Sequence, residues 1–264
     1  MSGFGFQGTT VLVTHPGSAL SAACAQALAA RGAAIAMPAH GQDAERLATT
    51  IRAQGGAALL VSGDPRTATS AQIMVEAASP DVVLVDPDDA GQGGGRLETI
   101  DPDRIAAMVA AGLMEAVWPV RAALPRMRAR GYGRIVMVTT GAGAFGTAEA
   151  ASISAAKAGI IGLAKAVALE TRDGDIRVNA VSTEGGSDGI GPVLYLCHAA
   201  CTLDGEVLSL TSGRIARIFV ATAPGIFEPR LAAEAMPERL DAIMSPDGYI
   251  IPRRASDERI LVDV

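Results

Sequence analysis

The chain has 264 residues, 49% of them hydrophobic, and a formal net charge of −6 from 22 basic and 28 acidic side chains. That length and apolar content suit one large core. An acidic chain with no basic block is a poor candidate for nucleic acid or anionic membrane surfaces. Three cysteines, an odd number in so long a chain, make no disulfide framework and point to a reducing cytoplasm. The start of the chain carries no basic stretch before its short apolar run, so no signal peptide is expected. Later apolar stretches such as IIGLAKAVAL are broken by Lys or Arg, and none is expected to be long enough to span a bilayer.

Residues 9–15 (TTVLVTH) are a β-branched run and predict a buried strand. The helical period of SALSAACAQALAARG follows and closes on Gly32. AAIAMPA predicts a second strand and DAERLATTIRAQGG a second helix; AALLVSGD is a third strand, with a helix through residues 76–78 behind it. DVVLVD is a fourth strand, and a long helix is expected from about Asp103 to Arg130, with Pro119 and Pro125 bending or ending it. RIVMVTT predicts a fifth strand, residues 149–172 an Ala-rich helix, IRVNAVS a sixth strand, GPVLYLCHAA a helix and GEVLSLTS a seventh strand. Strands alternating with helices imply parallel pairing, so the fold class is α/β, a doubly wound, seven-stranded parallel sheet with helices on both faces. Residues 1–222 are expected to form that domain, and residues 223–264, rich in Pro, Gly and charge, to form an extension packed on it.

The segment GYGRIVMVTTGAGAFGTAEAASISAAKAGIIGLAKAVALETRDGDIRVNAV resembles the central stretch of short-chain dehydrogenases/reductases, and the resemblance runs over nearly the whole chain. It implies a Rossmann-like fold. The ending GEVLSLTSGRIARIFVATAPGIF, with DGYIIP after it, resembles members acting on 3-hydroxyacyl-CoA-like substrates, including the dehydrogenase module of peroxisomal multifunctional enzymes.

The resemblance also shows what has changed. The family's phosphate loop places glycines where the backbone must approach a pyrophosphate at a helix N-terminus. Here His15, Ala19 and Ser21 hold the glycine positions, and Gly17 lies at a variable one. The second strand ends at Ala39 and His40, without the acid that often grips the ribose. The N-N-A-G motif after the fourth strand is replaced by Asp86-Pro87-Asp88-Asp89. Asp64 matches a family acid that meets adenine and is the expected remnant of the nucleotide half.

Of the family's Ser–Tyr–Lys set, Thr140 takes the serine position, Lys157 keeps the lysine, and Ile153 stands in the tyrosine position. The mechanism needs a phenol whose pKa a nearby ammonium lowers. Isoleucine transfers no proton, and Tyr132, Tyr195 and Tyr249 all lie outside this helix. Gly112 falls at the position that often supplies an Asn to the proton relay. The substrate lid that usually follows the sixth strand shrinks to residues 182–189.

The helix around Lys157 keeps a small-residue face of Ala151, Ala155, Ala158 and Gly162, and in the family this helix, the long helix before it and the last strand build the subunit interfaces. The resemblance therefore implies a non-catalytic subunit. It would bind no cofactor itself and would assemble, as a heterotetramer, with an active paralogue that carries NAD(P). The chain resembles the degenerate partner in the two-subunit hydroxyacyl-CoA dehydrogenase of anaerobic toluene (benzylsuccinate) degradation.

Two other readings stay open. His15, His40, Asp64 and Asp86 or Asp88 all follow strands and are expected at the carboxyl edge of the sheet, where open α/β folds bind ligands. They suit a repurposed metal site, or a nucleotide-independent lyase, dehydratase or isomerase led by His15 and Asp86. Alternatively, Thr140 and Lys157 with Glu149 or Ser154 as a substitute acid make an atypical NAD(P)-dependent oxidoreductase. Cys197 and Cys201 share a helix face but have no second Cys/His pair, so buried structural thiols are expected rather than zinc.

Overall fold

The computed structural model describes residues 4–87, 94–184 and 189–257. Tertiary contacts divide the chain into two compact units, Met1–Arg217 and Ile218–Val264.

The sheet comprises β1 (Thr10–Val13), β2 (Ala34–Pro38), β3 (Ala57–Val61), β4 (Val82–Val85), β5 (Tyr132–Thr139), β6 (Asp175–Thr183), β7 (Val207–Thr211) and β8 (Arg214–Ile218), in the order β3-β2-β1-β4-β5-β6-β7-β8. The pairs from β3 through β7 are all parallel, as the alternation of strands and helices predicts. These are the seven expected parallel strands, and among the described residues β8 adds an eighth at the edge beside β7. Ser212 and Gly213 both adopt positive φ, 49° and 78°, which lets a two-residue turn fold RIARI back onto β7.

The helices are α1 (Ala19–Ala29), α2 (Gln42–Ala53), α3 (Ala68–Ala78), α4 (Pro102–Arg130), α5 (Gly141–Phe145), α6 (Ala151–Glu170), α7 (Ile190–Cys197) and α8 (Met236–Met244). α1 packs beside α2 and α7, whereas α4 packs beside α3 and α6, so helices cover both faces of the sheet. Side chains alternate across a strand. Val11, Val13, Val82, Leu84, Val136 and Val138 accordingly join Cys24, Leu28, Val193 and Leu196 in one core cluster. The intervening Leu12, Val83, Ile135 and Met137 are buried on the opposite face.

α4 does not end at its prolines. It begins where Asp101 accepts from the N–H groups of Asp103 and Arg104, with Pro102 in the first turn, and runs 29 residues through Pro119 and Pro125. Each proline removes one N–H from the ladder. Packing against α3, α6, β4 and β5 holds the helix across both gaps. The expectation about membrane spans is corrected as well. By length and composition alone α4 and α6 can cross a bilayer, each with a mean hydropathy of 1.4 over its most apolar 18 residues. Their contacts with the sheet give the physical reason for that apolarity.

At the amino edge of the sheet, fully buried Arg134 donates to the carbonyls of Gly133, Asp175, His198 and Ala199 and pairs with the Asp175 carboxylate at 3.1 Å. It fastens the end of α7 to β5 and β6, leaving the carboxyl edge open. Within the second unit, Thr222 bridges Ile250, Phe219 stacks on Tyr249 with ring centroids 6.2 Å apart, and Arg239 pairs with Glu228.

Candidate functional site

The order of the strands reverses between β1 and β4, so the crevice at their carboxyl ends is the natural ligand site of this sheet. Its floor is wired internally. Thr14, just past β1, donates its N–H to Leu84 O at 3.1 Å, and its hydroxyl accepts the N–H of Asp86 at 3.1 Å. Ser21, in the first turns of α1, donates its hydroxyl to Asp86 Oδ2 at 2.8 Å. Thr14, Ser21 and Asp86 are all buried. The N-terminus of α1 is capped by its own sequence, because Ser18 Oγ accepts from Ser21 N.

Beside this floor lies an open cleft of about 270 Å³ lined by Thr14, His15, Pro16, Gly17, His40, Gly41, Asp43, Pro65, Arg66 and Glu115. A Cβ placed on Gly17 would lie 2.7 Å from Asp43 Oδ2 and 3.2 Å from His15 Nε2, so those two side chains close over the loop. Asp43 also pairs with Arg46. Asp64 is committed to Arg66. One carboxylate oxygen accepts the Arg66 N–H at 2.9 Å and the other its guanidinium at 3.1 Å. Burial works to raise the Asp64 pKa, but the hydrogen bonds and charge of Arg66, with His40 adding, hold the carboxyl below its usual range.

The structure therefore brings His15 and His40 to one cleft, puts Asp64 at its margin in an ion pair, and turns Asp86 down against α1. Asp88 and Asp89 lie outside the described residues, as do residues 185–188 of the shortened lid. Sequence reasoning missed Asp43, Arg66 and Glu115. Glu115 carried a signal, being an acid inside an otherwise apolar helical run; Asp43 and Arg66 looked like ordinary helix-start and loop charges.

On the other side of the crevice Lys157 is buried, and its ammonium donates to Pro87 O at 3.4 Å. Its carbonyl accepts from Thr139 Oγ1 at 2.9 Å. Thr140 precedes α5, and Ile153 lies half-buried one turn before Lys157. α5 rests directly on α6, since a Cβ on Gly143 would lie 2.5 Å from the Lys157 carbonyl carbon. A Cβ on Gly112 would approach Ala156 Cβ to 3.0 Å, so α4 and α6 meet closely at the relay position. The neighbour of Ile153, Ser152, buries its hydroxyl without a hydrogen-bond partner among the described residues. Of the substitute acids, Ser154 Oγ accepts from Thr147 N at 3.3 Å. Glu149 is exposed and takes φ +61°, with its carbonyl accepting from Gly95 N at 2.7 Å.

The three cysteines are free and buried. Burial, with the Asp86 charge adding, pushes the Cys24 thiol up to about 12, and burial also raises Cys197 and Cys201. Among the described residues no group of three His, Cys, Asp or Glu side chains is placed to hold a metal ion.

The sequence pattern of the family described as short chain dehydrogenase matches residues 9–191. The chain belongs to the short-chain dehydrogenase family. The mouse peroxisomal multifunctional enzyme type 2 is 29% identical over 250 residues, covering 81% of this chain and 33% of that protein. The D-beta-hydroxybutyrate dehydrogenase of Cupriavidus necator is 35% identical over 182 residues, covering 66% of this chain and 69% of that protein. The full-length Drosophila melanogaster multifunctional enzyme type 2 superposes with a TM-score of 0.84 at 20% identity, over 98% of this chain and 49% of that one. A short chain dehydrogenase from Mycobacterium avium gives 0.81 at 23% identity, over 92% and 98%. The chain thus spans about a third of the mouse enzyme and about half of the fly enzyme.

Short-chain dehydrogenases take a nicotinamide dinucleotide, and the residues here fit one poorly. Ser21, which stands where the resemblance expects a glycine, lies buried in the first turn of α1 and is hydrogen-bonded to a carboxylate. His15 and Asp43 close over Gly17, and Asp64, which the resemblance sets beside adenine, is paired with Arg66.

Proposed function

We propose that this short-chain dehydrogenase homologue is a non-catalytic subunit that assembles with an active paralogue acting on a 3-hydroxyacyl-CoA-type substrate. The observation that carries the reading is Ile153. It stands one turn before a buried Lys157 on α6, in the position where the family's phenol is expected, and an isoleucine transfers no proton. The cleft supports the same reading, because its backbone cradle is closed by Ser21, Asp86, His15 and Asp43. NAD(P) belongs in this reading to the partner chain alone. The substrate class rests on the named relatives, a peroxisomal multifunctional enzyme and a hydroxybutyrate dehydrogenase.

Assembly is supported by the outer faces of α4 and α6. A groove of about 440 Å³ runs between them, lined by Val117, Val120, Leu124, Pro125, Leu163 and Val167, with Arg121, Arg128 and Glu170 at its rim. Apolar surface of this kind marks interaction sites. The test is to tag the chain in its native host and identify what co-purifies. A short-chain dehydrogenase in fixed stoichiometry is expected, with activity residing in the complex. A stable homo-oligomer that ignores such a chain overturns the reading, as does dehydrogenase turnover by the isolated protein.

A further inference from the structure

Resting on the reading that this chain binds no dinucleotide, we infer that the Asp86 carboxylate, and not the lost glycines as such, is what bars a diphosphate from the β1–β4 crevice. The three substituted loop positions are not equivalent. Ala19 adds one methyl on an exposed helix start, and the half-buried His15 carries its bulk at the end of a rotatable side chain. Ser21 is fully buried, and its hydroxyl points away from the cleft, down to Asp86. What that pair fixes is a charge. Asp86 is 8% exposed and sits directly after β4 at the switch point. Its N–H is taken by Thr14, and Ser21 offers the carboxylate one neutral donor.

A ligand phosphate is stabilised at a helix N-terminus by backbone N–H groups and the helix dipole. Here that positive end of α1 already faces a carboxylate through Ser21, and Ser18 caps its first turn. Like charges juxtaposed in a partly desolvated site repel strongly. On the far side the Lys157 ammonium adjoins the same turn through Pro87 O. Neutralising Asp86 would therefore remove the carboxylate that the α1 N-terminus faces, with Arg66, His15 and His40 set against Asp43 and Glu115 in the cleft beside it. The same pair also makes the loop self-supporting, since the hydrogen bond that closes α1 onto β4 is intramolecular and requires no ligand.

The decisive comparison separates charge from bulk. Three proteins are titrated calorimetrically with ADP, NAD+ and, as the uncharged control, adenosine: the natural chain, the His15→Gly/Ala19→Gly variant, and that variant with Asp86→Asn added. Asparagine keeps an acceptor for Ser21, so the fold is retained, which circular dichroism verifies; Asp86→Ser serves as a second neutral variant. The expected result is that Asp86→Asn tightens ADP and NAD+ by about tenfold or more over the double-glycine variant and leaves adenosine unchanged. ADP binding equally well to the double-glycine variant makes bulk the cause and overturns the inference, while the non-catalytic reading stands. No gain in any variant neutral at 86 overturns it equally. Micromolar NAD+ binding by the natural chain defeats both.

Discussion

Arg134 shows how much one side chain can hold. Its guanidinium is fully buried, and four carbonyls depend on it together with Asp175. Replacing it with Met leaves those acceptors unsatisfied, and urea unfolding is expected to show a loss of about 3–5 kcal/mol. Asp175→Asn is expected to cost about 1 kcal/mol or less, because that carboxylate is half exposed and solvent screens it. Asp64 makes a pH prediction with a definite sign. Its folded pKa lies below the unfolded value, so its contribution is present above about pH 3.9 and is lost as pH falls through the folded pKa. Arg66→Met should remove that part of the acid limb, and carboxyl titration followed by NMR should show the Asp64 midpoint moving up. Position 153 is the reverse case, an isoleucine where the resemblance expects a phenol. Ile153→Tyr alone is expected to yield no turnover with NAD+ and a 3-hydroxyacyl-CoA, since the nucleotide side of the crevice is unchanged. A spectrophotometric assay for NADH checks it.

The elements explain which parts of the fold were legible in the sequence. Short, continuously apolar β-branched runs made the parallel strands plain, because both faces of the sheet are covered, and Gly32 and Gly131 mark two helix ends with positive φ. α4 was legible nearly to the residue, from about Asp103 to Arg130 against the observed Pro102–Arg130; it runs on through Pro119 and Pro125 because tertiary packing holds it there. α5 was missed because five residues, GAGAF, carry no periodicity; what fixes them is contact with α6. Gly143→Ala should therefore force the two helices apart and cost about 1–3 kcal/mol, read as a lowered unfolding midpoint. The site was half legible for a related reason. Glycine losses and the missing phenol are visible as residue types at known spacings, but Ser21 pointing at Asp86 and Asp64 pointing at Arg66 are pairings across 65 residues and across a turn that only the fold reveals.

At the scale of the whole molecule, the outward faces of α4 and α6 are the surface on which the proposed assembly depends. Leu124→Arg, at the edge of their groove, is expected to abolish co-purification of the partner while leaving the circular dichroism of the isolated chain intact. The eighth strand has a bearing on how any such partner attaches. A sheet that ended at β7 would present a row of unsatisfied N–H and C=O groups, a ready template for a foreign strand. By doubling back, the chain uses that template on itself. The new margin it exposes carries Arg214 and Arg217, the latter anchored to Glu206. Charged side chains along a border discourage further strand addition. Growth of the sheet from one molecule into the next is thus discouraged at this border, where the proposed companion subunit would meet side chains rather than backbone; β3 forms the opposite border.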